Sequence, residues 1–331
     1  METIQPQCHP NILFTLGLRS DWTGNPWTLY DYAVASRGFA FWLDDADPEE
    51  RSIIEEICRK GDFKPGAIVM GYAKSGDDLL YVTNRYNIGY VVSDYYANGS
   101  FWCSYPNKSF KQRPGKAVKA ENGKIYVSVV FSDGDNVQFD QNALYAIWTE
   151  DTDRGAFPVG TTLCAGMQEL NPFLLEWYYK HMSPNDELMA GPSGYQFIYG
   201  RDYSEEGYEK WLELNRQWLA SAGFKTACFW HTSYGTDRFY RYTETAGLEG
   251  VFNGDDDVVL DYHDGVIIMN QGDHLVAEGD LYNNLAHRQG LLDPSRPHFL
   301  NVYPTAATYG YHGVARLKRE AERLEKDFPG R

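Results

Sequence analysis

The sequence is poor in cysteine and in positive charge. Its five cysteines, Cys8, Cys58, Cys103, Cys164 and Cys228, are odd in number, widely spaced and never arranged as C-x-x-C. Neither a disulfide framework nor a structural zinc site is expected from that pattern. Cys164 and Cys228 lie in apolar strand-like runs, where a buried, inert thiol is the expectation. Lys and Arg number 30 against 46 Asp and Glu, a formal charge of −16. Such a surface repels polyanions, so neither nucleic acid nor an anionic membrane is expected as a partner. No apolar run approaches the roughly 20 residues needed to span a bilayer. Met1–Pro10 contains no apolar h-region, so no signal peptide is read. As written the chain is expected in the cytoplasm, or secreted or periplasmic if it belongs to a longer precursor. Several motifs are absent too. There is no G-x-G-x-x-G after the first strand, no G-x-S-x-G elbow and no calcium-loop spacing. His231, His263 and His274 are not at helical metal-ligand spacing, so no cofactor is expected.

Aromatic residues, by contrast, are abundant: 25 Tyr, 17 Phe and 9 Trp. They can fill a core and still leave rings to stack on the C–H faces of a sugar. Hydrophobic residues make up 43% and charged residues 23%, as in a folded globular chain, and 331 residues suffice for two domains.

Residues 1–103 read as a small α/β domain. Asn11–Gly17, Ala67–Tyr72 and Gly89–Ser93 are strand candidates. Trp27–Leu43 carries helical apolar spacing, and Pro48-Glu49-Glu50 opens a helix that runs on through Arg51–Lys60. Residues 104–122 are basic, polar and proline-containing, and read as a linker. From residue 123 to 331 short apolar strands alternate with amphipathic helices. The strands are Ile125–Phe131, Pro158–Cys164, Glu187–Ala190, Lys225–Trp230, Gly250–Phe252, Gly265–Met269 and His298–Val302. That alternation predicts a parallel sheet. Seven strand–helix units predict a (β/α) barrel-like domain, seven-stranded and imperfect, behind the smaller α/β domain.

Parallel α/β folds place ligands at the carboxyl ends of their strands. Those ends are rich in Gly, Asp, Asn and hydroxyl groups here. Asp133 and Asp135 follow the first of these strands, with Gly134 between them. Two carboxylates on one extended segment suit general acid and base or nucleophile roles in sugar hydrolysis, or could hold a divalent cation through hard oxygen ligands. The same turn could simply cap a helix beginning at Val137. Glu169 and Asp255 are further carboxylates at strand ends. Asn136, Gly191, Pro192, Ser193, Gly194, Tyr195, Trp230, His231, Asn253, Gln271 and Tyr303 are the candidate substrate contacts. Asp186 and Glu187 stand at the opposite, structural end of their strand.

The run Lys124-Ile-Tyr-Val-Ser-Val-Val-Phe-Ser-Asp-Gly-Asp-Asn-Val-Gln-Phe-Asp-Gln141 resembles the signature strand of the GxGYxYP family of glycoside hydrolases. Pro184–Gly194 resembles it as well and, more loosely, so does Leu29–Arg37. The name motif itself is altered. Gly194–Gly200 keeps its first Gly and last Tyr but carries Gln196, Phe197 and Gly200 at the second Gly, first Tyr and Pro. The resemblance implies a barrel-like catalytic domain that processes carbohydrate, with Asp133, Asp135 and Asn136 marked, and Gly191, Pro192, Ser193 and Gly194 as a binding loop. A metal-dependent carbohydrate deacetylase and a non-catalytic carbohydrate-binding protein are the competing readings.

Overall fold

The computed structural model describes residues 7–16, 29–74, 78–93, 95–113, 115, 118–229, 236–253, 260–270, 272–275, 277–304 and 312–330. The chain first builds a small sheet from β1 (Ile12–Thr15), β2 (Phe39–Phe41), β3 (Ile68–Gly71) and β4 (Gly89–Val92), in the order β2-β1-β3-β4. All three pairings are parallel. The accompanying helices are α1 (Tyr30–Ser36), α2 (Pro48–Lys60), α3 (Leu79–Thr83) and α4 (Gly99–Trp102). Helix α2 starts as its sequence dictates. The Asp47 carboxylate accepts from the Glu49 and Glu50 amides, Pro48 fills the first turn, and Arg59 and Lys60 face the negative end of the dipole.

The helix expected over Trp27–Leu43 is shorter than its apolar spacing suggested. Among the described residues α1 stops at Ser36, Arg37 turns left-handed at φ 54°, and β2 begins two residues later. Gly38 makes that turn workable. A Cβ there would lie 2.1 Å from the Phe14 ring on β1.

The larger sheet contains β5 (Ile125–Phe131), β6 (Val159–Leu163), β7 (Asp186–Ala190), β8 (Thr226–Cys228), β9 (Gly250–Asn253), β10 (Leu260–His263), β11 (Val266–Asn270), β12 (Asp273–Leu275) and β13 (His298–Pro304). Its helices are α5 (Val137–Gln141), α6 (Ala143–Glu150), α7 (Met167–Leu170), α8 (Pro172–His181), α9 (Glu205–Ala222), α10 (Thr236–Ala246), α11 (Asp280–Arg288) and α12 (Gly313–Asp327). The strand order is β10-β11-β9-β8-β7-β6-β5-β13-β12. All seven expected strands are present, and their pairings to one another are parallel.

The expected barrel closure is not made. Each outer strand acquires a further partner instead: β10 folds back antiparallel on β11, and β12 pairs with the end of β13. Among the described residues the sheet is open in its hydrogen bonding, and the chain links β11, beside one edge, to β12 at the other. Gly272 permits that link, because a Cβ there would meet the Asn301 carbonyl at 1.8 Å.

At the amino end of β7 the Asp186 carboxylate pairs with Arg154 and accepts from the Ser183 amide at 2.6 Å. The Arg154 guanidinium also donates to the His181 carbonyl at 2.7 Å and lies 4.5 Å over the Trp148 ring. This pair is structural, as the position at that end of the strand predicted. Arg154→Ala leaves the buried Asp186 charge without its cation. It should destabilise the fold by about 3 kcal/mol, seen as a lower urea midpoint at unchanged slope.

The two sheets meet in one core cluster, and the first sheet packs a second cluster with α2 and α3 on its other side-chain set. Phe14, Met70, Val91 and Tyr96 from the first pack in the same cluster as Phe131, Leu163 and Leu170 from the second. Residues 104–113, read as linker, are fastened to the larger sheet. The Phe110 ring stacks on Tyr179 at 4.5 Å, and its amide donates to Ser221. The Gln112 side chain brackets Leu188 by donating to its carbonyl and accepting from its amide, each at 2.7 Å. No helix among the described residues is long and apolar enough to cross a membrane.

Candidate functional site

The run Ile125–Phe131 is rich in β-branched and aromatic residues, forms β5 and buries its last three side chains. The chain then turns sharply. Asp133 takes the left-handed conformation at φ 73°, uncommon for a residue with a side chain. Gly134 follows, pressed on the end of β6. Its amide donates to Thr162 Oγ1 at 3.0 Å, and a Cβ would fall 2.0 Å from the Thr162 carbonyl oxygen. Asn136 closes the turn by donating its amide to the Asp133 carbonyl at 3.1 Å, and it bridges to Val92 at the end of β4. Asn136 is the N-cap of α5, but its side chain makes no capping bond. Its Oδ1 is buried without a hydrogen-bond partner among the described residues. The turn is therefore clamped by both sheets, and local capping does not explain its shape.

Behind it sits Asp140, in α5 and fully buried. Burial comes first among the causes that raise its pKa well above the carboxylate range. The charges of Asp135 and Asp133 push the same way, and the bond from the Cys164 amide opposes them. The same two charges bear on Cys228 at the end of β8, whose thiol is pushed up to about 12, mainly by burial. Cys228 Sγ lies 3.1 Å from the Tyr303 hydroxyl at the end of β13, and Tyr303 is also fully buried. The ends of β5, β8 and β13 thus bring Asp133, Asp135, Asp140, Cys228 and Tyr303 into one electrostatic neighbourhood.

The turn after β7 abuts this group. A Cβ on Gly191 would meet Cys228 Cβ at 2.9 Å, and the Ser193 amide approaches the Cys228 carbonyl at 3.4 Å. The turn itself is buried: Ser193 donates to the Ile198 carbonyl at 3.3 Å, and its own carbonyl accepts from Tyr242 at 2.8 Å. Pro192 follows a cis peptide bond, and the open φ of 145° at Gly194 passes Asn215, which a Cβ would strike at 2.1 Å. The Tyr195 ring packs between Trp211 and Trp218, at 6.0 and 6.3 Å, rather than facing outward.

The chain then runs along β4. The Tyr90 amide donates to the Phe197 carbonyl at 3.0 Å, and the Phe197 amide donates back at 2.8 Å. Asn84 Oδ1 accepts from the Tyr199 amide at 2.6 Å. The altered name motif is the seam between the two sheets.

Glu169 is exposed on α7, and its charge bears on Tyr32 and Cys103 rather than on Asp140 or Cys228. Asn253 ends β9. Trp230, His231, Asp255 and Gln271 lie outside the described residues. Among the described residues no group of three or more His, Cys, Asp and Glu side chains is arranged to hold a metal ion.

Asp140 was not singled out from sequence, although the signal existed. Val137, three residues before it in α5, is buried, and so are Leu144, Ile147 and Trp148 of α6, so Asp140 stands in a stretch of buried apolar positions. Cys58, Cys164 and Cys228 are buried, whereas Cys8 and Cys103 are partly exposed. Thiol titration of the native protein should therefore label Cys8 and Cys103 first, with the other three appearing only on unfolding.

Comparison with known proteins completes this picture. Residues 123–320 match the family model described as "GxGYxYP putative glycoside hydrolase C-terminal domain", and residues 12–104 match "GxGYxYP third domain". The crystal structure of a "putative hydrolase" from Bacteroides thetaiotaomicron superposes with a TM-score of 0.78 at 18% identity, over 99% of this chain and 68% of that one. This likeness concerns the fold. A 4-alpha-glucanotransferase from Thermococcus litoralis overlaps at a TM-score of only 0.36 and 11% identity, over 64% of this chain and 38% of that one, too remote to bear on either fold or activity. No curated protein matches the chain. With both family models matched and the signature turn of Asp133–Asn136 built at a strand end, the chain belongs to the GxGYxYP family.

Proposed function

We propose that the protein hydrolyses a glycosidic bond at the carboxyl ends of β5, β8 and β13, with Asp133 and Asp135 as the reacting carboxyl pair. The observation that carries this reading is the turn holding them. A left-handed Asp133, a Gly134 with no room for a side chain and an Asn136 bridged to the first sheet together fix two carboxylates at one strand end. Strained backbone over-determined by its surroundings is a hallmark of sites rather than of solvated turns.

In this chemistry one carboxyl group protonates the departing glycosidic oxygen. The other attacks the anomeric carbon or activates water, and an oxocarbenium-like transition state lies between. Asn136, whose amide oxygen has no hydrogen-bond partner among the described residues, is the candidate to accept from a sugar hydroxyl that reaches the turn. Asp255, after β9, is the candidate partner should the reaction need a carboxyl from another strand, and Glu169 is a more distant one. A divalent cation on Asp133 and Asp135, as a deacetylase would use, is the alternative chemistry for the same pair.

The test is a glycan turnover screen with and without chelator. Reducing sugar released equally in both arms supports hydrolysis by carboxyl groups alone. Loss of turnover on chelation, with acetate as product, transfers the pair to metal chemistry. Binding without any product would make the protein a carbohydrate-binding one.

A further inference from the structure

We propose that a cluster of solvent-facing aromatic rings beside the candidate site is a second carbohydrate contact, a platform on which a neutral polysaccharide lies as it enters the site. The inference rests on the reading of the protein as a glycoside hydrolase, and it narrows the substrate to a long chain rather than a mono- or disaccharide. The platform consists of Phe101 and Trp102 in α4, Tyr105 shortly after it, and Phe173 in the first turn of α8. Trp102 is stacked on Phe173 with 5.6 Å between ring centres and 23° between planes, and Tyr105 lies 5.1 Å from Phe173. Phe101 stands edge-on to Trp102 and to Tyr105, at 4.9 and 5.7 Å. Trp102 roots the cluster in the core, whereas Phe101 is 53% exposed and Phe173 42% exposed. Contiguous rings left in water mark a binding surface more often than chance placement does.

The cluster stands on the same rim as the signature turn. Asn136 bridges to Val92, the last residue of β4, and the chain leaving β4 runs directly into α4. On the way it is fastened to α5, the helix that the turn opens. The Ala97 amide donates to Gln141 Oε1 at 3.2 Å, and the Ala97 carbonyl accepts from Gln141 Nε2 at 3.2 Å and from the Trp102 indole at 3.0 Å. Helix α5 has five residues, so about 7.5 Å of helix separates the turn from the residue that holds the platform. Tyr96 donates to the Leu170 carbonyl at 2.7 Å, which ties the same segment to the end of α7, just before Phe173. From the other side Asp31 accepts from the Ser100 amide at 2.9 Å and its hydroxyl at 2.6 Å. The rings are therefore held in place before any ligand arrives, which lowers the entropic cost of binding.

The chemistry of the patch selects a sugar chain. Ring faces stack on the C–H faces of pyranoses. Glu176, one helical turn beyond Phe173, pairs with Lys108 at 2.6 Å and places an acceptor and a donor for hydroxyl groups beside the rings. The formal charge of −16 favours a neutral glycan over an acidic one. Continuity with the turn through Gln141 and Ala97 gives the platform its direction: a chain resting on it runs on toward the ends of the strands.

The test is native electrophoresis of the whole chain through gels containing starch, xylan, galactomannan or mixed-linkage β-glucan, beside size-exclusion chromatography. At least one polysaccharide should retard the wild type. Phe101→Ala and Phe173→Ala together should weaken that binding by about tenfold. Phe101→Tyr with Phe173→Tyr, which keeps the ring faces, should leave it unchanged. So should Tyr262→Ala, which removes a ring 70% exposed on β10. Should the alanine pair fail to fold, each single variant gives the same decision. No retardation in any of the four gels, or retardation that the alanine pair leaves intact, overturns the proposal. A wild-type dimer that the alanine pair dissociates would make the rings a self-association face and overturn it too. Polysaccharide binding lost in the alanine pair, with no glycan turned over by the wild type, keeps the platform and sinks the hydrolase reading. Where turnover is found, the alanine pair should raise KM for polysaccharide at unchanged kcat and leave a disaccharide substrate unaffected.

Discussion

Asp133→Asn is expected to cut glycan turnover by roughly 10²–10⁴-fold, the range carried by a group that moves a proton in the transition state. The substitution isolates chemistry from folding unusually well. Asn is among the few residues that tolerate the left-handed conformation found at position 133 (φ 73°), so the backbone of the turn should survive. Removing the negative charge also relieves the repulsion felt by buried Asp140 and Cys228. Thermal unfolding of the variant, measured beside its turnover, separates lost chemistry from lost folding. Asp135→Asn, measured beside it, tells which carboxyl group matters more. Turnover unchanged in both would remove the pair from the reaction and move attention to Asp255 or to binding without catalysis.

Gly134→Ala should do the reverse, damaging fold and site together. The added Cβ would lie 2.0 Å from the Thr162 carbonyl oxygen and 2.1 Å from its carbonyl carbon. Both atoms belong to the β6 backbone and cannot rotate away. Overpacking of this kind costs about 1–3 kcal/mol. The relaxation that accommodates it must push the turn off β6 and carry Asp133 and Asp135 with it. A shift near 1 Å at reacting groups costs on the order of 10²-fold in rate. Urea unfolding and turnover should fall together. Gly290→Ala, at a glycine with open space around it, is the matched control and should change neither. If Gly134→Ala kept full stability, the clamp on the turn would be illusory.

Much of the larger sheet was legible because buried parallel strands are short apolar runs, and Ile125–Phe131 or His298–Val302 can hardly be read otherwise. Its edges were not. β10 reads Leu-Asp-Tyr-His, an exposed strand with no apolar continuity, and β12 has three residues; each forms only because a neighbour offers an unpaired edge. Those two strands separate an open sheet from the expected barrel.

The turn after β5 was legible where chemistry and geometry coincide in sequence. Asp133 and Asp135 stood out because a strand runs straight into them. Asp140 did not, because its importance comes from burial, and a lone Asp in a helix normally faces water. The Gly191–Tyr195 loop was read as a ligand-facing surface. Its burial depends on packing against Trp211, Trp218 and Tyr242, residues that follow it in the chain and that no local pattern connects to it.

The seam between the sheets joins two positions far apart in the chain. Gln196 occupies the place of a glycine in the family's name motif, and its side chain lies against Gly89 at the start of β4. A Cβ at position 89 would sit 2.2 Å from Gln196 Oε1 and 3.1 Å from its Cβ. The Gln196 amide nitrogen meanwhile donates to the Gly66 carbonyl at 2.9 Å. The bulk that the motif gained at one position is matched by bulk withheld at another, far away in the chain. A side chain at position 89 would displace the end of the Gln196 side chain and press on its Cβ. Lineages of this family should therefore exchange the two together, as a lock and its key are recut in one step.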